Sequence, residues 1–559
     1  MLAALSDIEI CGLLQESHYA NGLKGRWRAL RQNVKKHGWQ YPSWRLGQFL
    51  KDTLDRLAAR AVNQREVDDV LRHAFPDRPR TLSETASRHQ IPLQKFTNLN
   101  HSAASEALTR LNVDLGIVIG TRILRRSTFS VPRRGCLNLH KGKVPEYRGM
   151  PPGFWELYDG QTTAGVTVHF VDEGLDTGDV VGEDIVNILP SDTPVTLRRK
   201  LDGCGNKLLT RCVVDIARGQ YTRRAQPSGS CKARKSPSLQ EQRALERKLG
   251  LGSSIVFPWK YIGKTILQLF LYYCGPFSLV RTLRRVGRHR RMCVVLYHRV
   301  NDLNQDRLTT SVQRFAEQMV ALRKYYTPLT TSGLVEILRD SKYVPAHGVA
   351  VHFDDCYRDV LTDAAPILSE IGWAGCCFVT SGFVGTQRVF DHDKGTPFRM
   401  ENFKTDDLLI LVKMGFEIGA HTVNHVDLGS CSYETATTEL VESRQQLQHM
   451  LSASVRFFSY PFGRLHNFRE ELQTTARLAG YEAVFSAYGG GIDPQFHLYE
   501  LPRIPINGQY RALDMLLEVE GLSLDTLRRR RLISKWRRAR AKRPFSTDAL
   551  PSPEQSSRV

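Results

Sequence analysis

Short apolar runs that fit buried strands alternate with helical patterns over the first part of the chain. A helix is predicted at residues 84–90, and strands are predicted at residues 8–14, 113–119, 136–139 and 165–171. Strands that alternate with helices are typical of an α/β fold. We therefore predict an α/β domain over residues 1–220.

A second series of the same kind begins near Met292. Helices are predicted at residues 312–325 and 432–451, and strands at residues 293–297, 348–353, 375–379, 416–420, 457–460 and 483–486. This pattern predicts a second α/β domain, over residues 291–510. A basic tail follows at residues 511–559, and its polar end beyond Lys542 is predicted to be disordered.

Residues 221–290 separate the two patterns. Within them, residues 222–247 are polar, basic and rich in Ser and Pro, which indicates a linker or a tail that wraps over a surface. The longest apolar stretch, Thr265–Val280, is shorter than the ~20 residues that span a bilayer. Two interpretations of it remain open: a segment lying in a membrane interface, and a buried helix that joins the domains.

The formal net charge of +21 adds an expected partner to this picture. Such an excess favours an anionic partner, and a solvated basic surface is the alternative. Much of the charge lies in two runs, Arg281–Arg291 and Arg528–Arg543. Because no recognised nucleic-acid-binding motif accompanies these runs, nucleic acid is disfavoured and an anionic membrane surface is the expected partner.

The 11 cysteines bear on the compartment. Their number is odd and no C-x-x-C spacing occurs, which excludes a disulfide framework and a cysteine zinc site. The N-terminus has no secretory signal pattern, because Met1–Leu5 lack a basic start and Asp7 and Glu9 soon follow. We therefore expect a reduced, cytoplasmic setting.

Three residues of the first domain suit acyl transfer to an amine. Asn138 and His140 lie two apart, so on a strand both side chains point to one face, and Asp176 lies in a Gly-rich turn. An amide can donate to the carbonyl oxygen, an imidazole can take the amine's proton, and a carboxylate can orient that imidazole. The alternative is a satisfied histidine at a strand end and an aspartate in a turn.

The full motif string resembles the formyltransferase family of methionyl-tRNA and sugar N-formyltransferases, over roughly residues 8–220. The motifs that carry the resemblance are Asn138-Leu139-His140, Pro145, Arg148-Gly149, Gly165-Val166-Thr167 and Gly174–Asp179. The resemblance implies a Rossmann-like formyltransferase domain, a catalytic trio of Asn138, His140 and Asp176, and N10-formyltetrahydrofolate as the formyl donor.

Two departures from the tRNA enzymes bear on the substrate. The loop that is commonly Ser-Leu-Leu-Pro in those enzymes is Gly142–Pro145 here, and a linker follows where their tRNA-binding barrel would begin. Both favour a small amine, most of all a sugar. The family also begins with a strand and helix ahead of Ile8; Leu2–Ser6 resemble the end of that helix, so the first strand is expected upstream of residue 1.

Four residues of the second domain suit a metal site. Asp354 and Asp355 end an apolar strand, where successive side chains point to opposite sides. His421 and His425 lie four apart, so one helical turn would place both on one face. Asp355 with these two histidines leaves open positions, as in catalytic zinc sites, and Asp354 can act as a base. The alternatives are a helix cap and an exposed helix face.

This set resembles the polysaccharide deacetylase (NodB homology) family, over roughly residues 292–507. The matching motifs are Phe353-Asp354-Asp355, His421 to His425, and Arg456, Tyr460, Pro461 and Gly463, with Cys356 where a Gly is usual. The resemblance implies a distorted (β/α) barrel, with a Zn²⁺-like ion on Asp355, His421 and His425. It also implies substrate-binding roles for Arg456 and Tyr460.

Two further residues are given roles, the first of them from the circularly permuted members of this family. Those members place the general acid in an early Tyr-His motif, which here is His298. A satisfied histidine at a strand end is the alternative for His298. Arg503 is expected to orient Asp354 at the substrate site, with a surface ion pair as the alternative.

We therefore predict a bifunctional enzyme that removes an N-acyl group from a carbohydrate and formylates a sugar amine. The substrate is expected to be an amino sugar or glycan that is lipid- or nucleotide-linked, handled in the cytoplasm with the chain peripheral at the inner face of the membrane. One alternative is a deacetylase with a degenerate formyltransferase scaffold. Another is a membrane-binding protein without catalysis.

Overall fold

The chain forms two compact units. The first contains Met1–Thr53, Phe75–Ile262 and Asp391–Arg399, and the second contains Leu54–Ala74, Gly263–Phe390 and Met400–Val559. The computed structural model describes residues 7–526 apart from 17–32, 36, 39, 228–231, 252–257, 287–291, 304–305, 341–344, 346, 356, 465–466, 468, 470, 494–495 and 524–525. Leu2–Ser6, Cys356 and the basic run Arg528–Arg543 lie outside the described residues.

The first unit is built on two sheets. A parallel pair joins β1 (Leu13–Glu16) to β2 (Leu93–Phe96). A four-stranded sheet has the order β3 (Gly116–Val118), β4 (Cys136–His140), β5 (Thr163–Phe170) and β6 (Val180–Asn187), with β3 and β4 parallel and the other pairs antiparallel. The strand predicted at residues 8–14 begins only at Leu13, because its ladder to β2 starts there.

The helices up to residue 248 are α1 (Gln40–Ala59), α2 (Gln64–Ala74), α3 (Leu82–Arg88), α4 (Ser102–Leu111), α5 (Arg126–Phe129), α6 (Phe154–Asp159), α7 (Pro194–Ala217) and α8 (Leu239–Lys248). Of these, α2 belongs to the second unit. Helix α7 begins after the capping side chain of Thr193, with Pro194 in its first turn. Its buried Leu197, Leu201 and Leu208 recur at helical spacing and pack in one core with residues of β4 and β5.

The Ser/Pro-rich segment wraps over the first unit. The backbone N–H of Arg234 donates to the Arg148 carbonyl at 2.8 Å, and Trp155 Nε1 donates to the Lys235 carbonyl at 3.2 Å. Ser238 then caps α8, whose Leu245 is buried in the core. Of the two sequence-based interpretations, the structure has the surface-wrapping tail.

The second unit is built on an eight-stranded parallel sheet. Its strands are β7 (Cys293–Tyr297), β10 (Thr327–Pro328), β11 (Gly348–Asp355), β12 (Cys376–Val379), β13 (Glu417–Ala420), β14 (Phe457–Ser459), β15 (Ala483–Phe485) and β16 (Ile504–Pro505); a separate pair joins β8 (Arg299–Val300) to β9 (Thr309–Thr310). The order in the sheet is β15-β14-β13-β12-β11-β7-β16, and β10 also pairs with β11. Every residue of β11 is buried, as expected of a parallel strand covered on both faces.

Helices cover this sheet. They are α9 (Trp259–Tyr273), α10 (Pro276–Val286), α11 (Val312–Tyr325), α12 (Thr331–Asp340), α13 (Ala365–Glu370), α14 (Thr405–Lys413), α15 (Tyr433–Leu451), α16 (Glu471–Leu478) and α17 (Ala512–Val519), with a π-helical turn at Val360–Ala364. The unit alternates strands and helices around one curled sheet, so the predicted α/β class and distorted barrel are confirmed. Helix α2 packs here too, with Glu66 paired to Arg323.

The apolar stretch predicted at Thr265–Val280 forms parts of α9 and α10. Among the described residues, no single helix has the length and apolar character of a membrane span. Helices α9 and α10 reach that length and apolar character only when taken together, and they are bent by 43° relative to each other. The nearby basic run is partly neutralised, because Arg281 and Arg284 both pair with the buried carboxylate of Glu520.

Candidate active sites

The first site lies where β4 ends beside β5. The Asn138 amide donates to Asp176 Oδ1 at 3.2 Å, and His140 Nδ1 lies 3.4 Å from Asp176 Oδ2. Asp176 has a φ of 56°, a left-handed conformation that its Gly-rich turn permits, and its Oδ2 also accepts from the Gly149 N–H at 3.1 Å. The structure therefore brings together the three residues predicted from the sequence.

A fourth residue, His169, belongs to this cluster and was missed by the sequence analysis. Its Nε2 lies 3.2 Å from the Asn138 amide nitrogen and 3.6 Å from Asp176 Oδ1. His169 stands opposite Asn138 in the β4–β5 register, which is why the two meet. In the sequence it reads as one polar residue in an alternating strand, so only the register of β5 against β4 could have identified it.

The environment sets the charges of this cluster. Burial lowers the pKa of His140, so its neutral form is favoured near pH 7. Burial alone would raise the pKa of Asp176, yet the hydrogen bonds from His169 and from the Gly149 N–H bring that pKa below its ordinary value. The site therefore pairs a neutral imidazole with an ionised carboxylate, which is the combination that a proton acceptor needs.

Both ring nitrogens of His140 face oxygen acceptors. Its Nε2 lies 2.8 Å from the Tyr147 carbonyl, and Nδ1 faces Asp176. A neutral ring can donate from only one nitrogen, whereas a protonated ring can donate from both. The surroundings of His140 are thus arranged to stabilise the ring after it has taken a proton.

The wrapping tail holds the turn that carries Asp176. Gln226 Nε2 donates to the carbonyls of Asp176 and Gly178, at 3.0 and 2.7 Å. The side-chain oxygen Oε1 of Gln226 in turn accepts a hydrogen bond from Arg148, at 3.1 Å from Nε. One side chain of the tail therefore ties the Arg148 loop to the aspartate turn.

The second site lies at the carboxyl ends of β11 and β13. His425 Nε2 lies 3.2 Å from Asp355 Oδ1, and His421 Nε2 lies 3.6 Å from the same oxygen. One ligand atom from each of the three residues lies within 4.8 Å of the other two. Asp355 and His421 are buried, so the structure brings together the three predicted metal ligands.

Their spacing predicted that the two histidines would share one helical turn, but they do not. They lie in a loop after β13, in which Thr422 and His425 have φ values of 65° and 57°. The carboxylate of Glu439 on α15 holds this loop, accepting from the Val423 N–H at 2.7 Å and the Asn424 N–H at 2.9 Å. Because the backbone reverses locally, residues four apart converge without a helix.

The donor set fits a divalent metal ion. His421 Nδ1 lies 2.8 Å from the Ser459 carbonyl, so it carries the ring hydrogen and leaves the Nε2 lone pair toward Asp355. Burial lowers the pKa of His421 to about 4, which keeps the ring neutral, as ligation requires. Two imidazole nitrogens and one carboxylate suit Zn²⁺ and similar ions.

Asp354 forms a bidentate ion pair. Arg503 NH1 and NH2 each lie 2.7 Å from a carboxylate oxygen of Asp354, and Arg503 itself is fully buried. Burial alone would raise the pKa of Asp354, yet the Arg503 guanidinium holds the pKa below its ordinary value. Arg503 therefore orients Asp354 rather than forming a surface ion pair, which was the alternative.

His298 directly follows β7, which is adjacent to β11 in the sheet. The register pairs Tyr297 with Phe353, so His298 and Asp354 leave neighbouring strands at the same level. The charge of His298 contributes to the lowered pKa of Asp354, which places the two groups within electrostatic reach. The structure thus brings His298 to the same end of the sheet as the metal ligands.

The two remaining predicted residues lie apart from each other. Tyr460 follows β14 at this end of the sheet and is buried. Arg456 precedes β14, at the opposite end, where it pairs with Glu482 at 2.6 Å and donates to Ser332 at 2.9 Å. The expectation that Arg456 binds substrate is therefore corrected: it ties the amino ends of strands together.

Aromatic rings stand beside the metal ligands. The rings of Phe390 and Phe462 have centroids 5.2 and 5.0 Å from that of His425. Phe462 has a φ of 62° and remains 51% exposed, so its ring is held beside the ligands while open to solvent. A strained, exposed aromatic side chain at a site is a candidate platform for an apolar face of a substrate.

Comparisons with known proteins match the two parts of the chain to two families. The Formyl transferase family model matches residues 47–213, and the Polysaccharide deacetylase family model matches residues 341–484. Among solved structures, Streptococcus pyogenes deacetylase PplD in complex with acetate matches 41% of this chain and 99% of its own, with 20% identity and a TM-score of 0.37. That likeness is too low to argue from.

Curated relatives match the N-terminal half. A methionyl-tRNA formyltransferase of Agathobacter rectalis is 33% identical over 159 residues, 26% of this chain and 51% of the relative. One of Trichlorobacter lovleyi is 30% identical over 219 residues, 37% of this chain and 67% of the relative. The chain spans about half the length of most curated relatives it matches. It belongs to the formyl transferase family through its N-terminal half and joins to it a polysaccharide deacetylase domain.

Proposed function

We propose that this chain is a bifunctional enzyme that deacylates an N-acylated sugar and formylates a sugar amine. The observation that carries the proposal is the presence of two assembled sites in one chain, Asn138 with His140 and Asp176, and Asp354 beside Asp355 with its histidines. The free amine is the product of the first reaction and the substrate of the second. Deacylation followed by formylation is the simplest order.

In the deacylation step, a Zn²⁺-like ion on Asp355, His421 and His425 would lower the pKa of a water and polarise the amide carbonyl. Asp354, kept ionised by Arg503, accepts the proton as the water oxygen adds to the carbonyl carbon. When the amide C–N bond breaks, His298 donates a proton to the departing amine. The carboxylate product and the free amino sugar then leave.

In the formylation step, the sugar nitrogen attacks the formyl carbon of N10-formyltetrahydrofolate. The Asn138 amide donates to the carbonyl oxygen as negative charge develops on it. His140 takes the proton from the attacking amine, and Asp176 stabilises the imidazolium that forms. The bond between the formyl carbon and N10 of the folate then breaks, and the proton held by His140 passes to N10, so the donor leaves as tetrahydrofolate.

The donor and the sugar carrier suggest where the enzyme works. A folate donor favours the cytoplasm, and we propose an amino sugar on a nucleotide or lipid carrier as the substrate. The alternative is a deacetylase whose first half serves only as a scaffold. Both ring nitrogens of His140 already contact acceptors, an arrangement that a histidine with a purely structural role would also show. The activity test therefore has to distinguish the alternative from the proposal.

The test uses the full-length protein with a panel of N-acetylated nucleotide sugars and oligosaccharides, N10-formyltetrahydrofolate and mass detection of products. Wild type should yield the N-formyl sugar. His140→Ala should stop at the free amine, and Asp354→Asn should react only when free amine is supplied, each with a loss of about 10²–10⁴-fold in the affected step.

Exposed residues supply the matched controls. His101→Ala and Asp340→Asn should leave both steps unchanged. If wild type stops at the amine, the first half is a scaffold and only the deacetylase proposal stands. If no substrate of the panel loses its acyl group, the deacetylase proposal fails.

A further inference from the structure

Helix α9 has the reverse of the polarity expected for a helix of a water-soluble fold. Its polar Thr265 and Gln268 are buried, whereas Ile266, Phe270 and Tyr273 are more than half exposed. The exposed positions recur at spacings of three and four, so they form one stripe along the helix. A helix that turns its apolar side outward faces something other than water.

Hydrogen bonds fix this orientation. Gln268 Nε2 donates to Asp514 Oδ1 at 2.6 Å, and Gln268 Oε1 accepts from Arg511 at 2.9 Å. Rotating α9 to bury its apolar stripe would leave these partners on α17 without their bonds, at the cost of unsatisfied buried polar groups. The outward apolar stripe is therefore built into the packing of the second unit.

Helix α10 repeats the pattern. Phe277 and Arg281 are buried, whereas Leu279, Leu283 and Val286 are exposed, the last two by 61% and 84%. We define the apolar face as the exposed residues of both helices within the second unit: Ile266, Leu267, Phe270, Tyr273, Leu279, Leu283 and Val286.

Positive charge lies at the margin of this face. Arg60 and Lys324 act on the Tyr273 phenol, where they oppose the rise in its pKa that burial causes. Both are exposed, as is Arg285 on α10. Arg281 and Arg284 contribute less, because Arg281 is buried and both share the single carboxylate of Glu520. An apolar stripe bordered by exposed cations is the composition of elements that lie in the interface of an anionic bilayer.

We propose that the apolar face docks on the surface of an anionic lipid bilayer, with α9 and α10 lying in the interface. The bend of 43° between the helices and the length of each suit this placement rather than a span. The proposal depends on neither catalytic activity. It places the membrane contact on the exposed apolar residues of these helices, rather than on Arg281 and Arg284.

The test is flotation of the full-length protein with vesicles of phosphatidylcholine, or of phosphatidylcholine mixed with phosphatidylglycerol. Wild type should float with the mixed vesicles, and less so as salt rises. Phe270→Asp should lower binding by about tenfold or more, because it places a charge in the apolar stripe. The matched control is Leu478→Asp, at an exposed apolar residue at the end of α16, which should bind as wild type.

Three results would overturn the proposal. The first is no flotation of wild type at low salt. The second is equal flotation of Phe270→Asp, which would place binding in another basic segment. The third is a wild type that elutes as a dimer in size-exclusion chromatography while Phe270→Asp elutes as a monomer. That result would mean that a second copy of the chain covers the apolar face. An unchanged circular dichroism spectrum shows that the variant is folded.

Discussion

At the residue scale, Asp354 and Asp355 are chain neighbours in surroundings that suit different tasks. Asp354 is locked by two hydrogen bonds from Arg503, whereas Asp355 faces the Nε2 atoms of His421 and His425. Successive strand side chains diverge, and the φ of 81° at Asp355 turns the chain away directly after the strand. The proposed proton acceptor is thereby separated from the proposed metal ligand.

The Asp354–Arg503 pair gives a prediction about pH. Arg503 holds the pKa of Asp354 down, so removing its charge leaves a buried carboxyl with a higher pKa. Because the base must be ionised, the acidic limb of the kcat/KM profile for deacylation should move to higher pH in Arg503→Gln. In Arg503→Lys the limb should lie closer to its wild-type position, because lysine supplies a positive charge again. A limb that stays in place in both variants would show that Asp354 is not the base.

Asp359 gives a prediction about stability. It is half-buried, its Oδ2 accepts from Asn301, and its pKa is raised by burial to about 7. The unfolded group ionises near 4, so folding is increasingly disfavoured as the pH rises from about 4 to about 7, and by a constant amount above that. Asp359→Asn should therefore stabilise the second unit by up to about 4 kcal/mol at pH 8, since each pKa unit corresponds to about 1.4 kcal/mol, and by nearly nothing at pH 4.

Thermal unfolding at the two pH values measures this effect. Asp340→Asn, at an exposed residue at the end of α12, serves as the control, and its effect on stability should not differ between the two pH values. An Asp359→Asn protein that loses stability at pH 8 would mean that the charged carboxylate is needed by its neighbours.

At the element scale, six strands of the second unit, β7 and β11 to β15, were predicted within one or two residues, because each is a buried apolar run. The two-residue strands β8, β9, β10 and β16 were not predicted. Asp354 and the metal ligands follow from motifs at strand ends. The loop that brings His421 to His425 could not be predicted, because left-handed residues and the distant carboxylate of Glu439 shape it. His169 was hidden for a similar reason, since its role depends on the strand register.

The wrapping tail gives a prediction about an element. Gln226 ties the turn of Asp176 to Arg148, so Gln226→Ala should loosen that turn while leaving the catalytic side chains present. Losing hydrogen bonds of this kind costs about 1–2 kcal/mol, and we expect formylation of supplied amine to slow by about tenfold. Deacylation should not change. Gln220→Ala, at an exposed residue just before the tail, should retain full formylation, and equal formylation rates for both variants would refute the role of Gln226.

At the scale of the whole molecule, the two units are compact enough to predict separate unfolding. Calorimetry of chelator-treated protein should show two transitions, and added Zn²⁺ should raise only the one that belongs to the second unit. Binding at 100 times Kd stabilises by about 2.7 kcal/mol. His421→Ala should abolish the increase, whereas the exposed His449→Ala should retain it. An increase that survives in His421→Ala would place the metal elsewhere.

The assignment of α2 has a consequence for dividing the gene. This helix is encoded ahead of most of the first unit, yet its buried Val67, Val70 and Leu71 belong to the second, and its Glu66 pairs with Arg323 of α11. A fragment expressed from residue 291 onward would therefore expose apolar surface that α2 covers. During synthesis, α2 leaves the ribosome long before the residues that it packs against, so its apolar side stays uncovered until the second unit has been made. Dividing the gene at the Ser/Pro-rich segment would therefore separate α2 from the unit that it packs in.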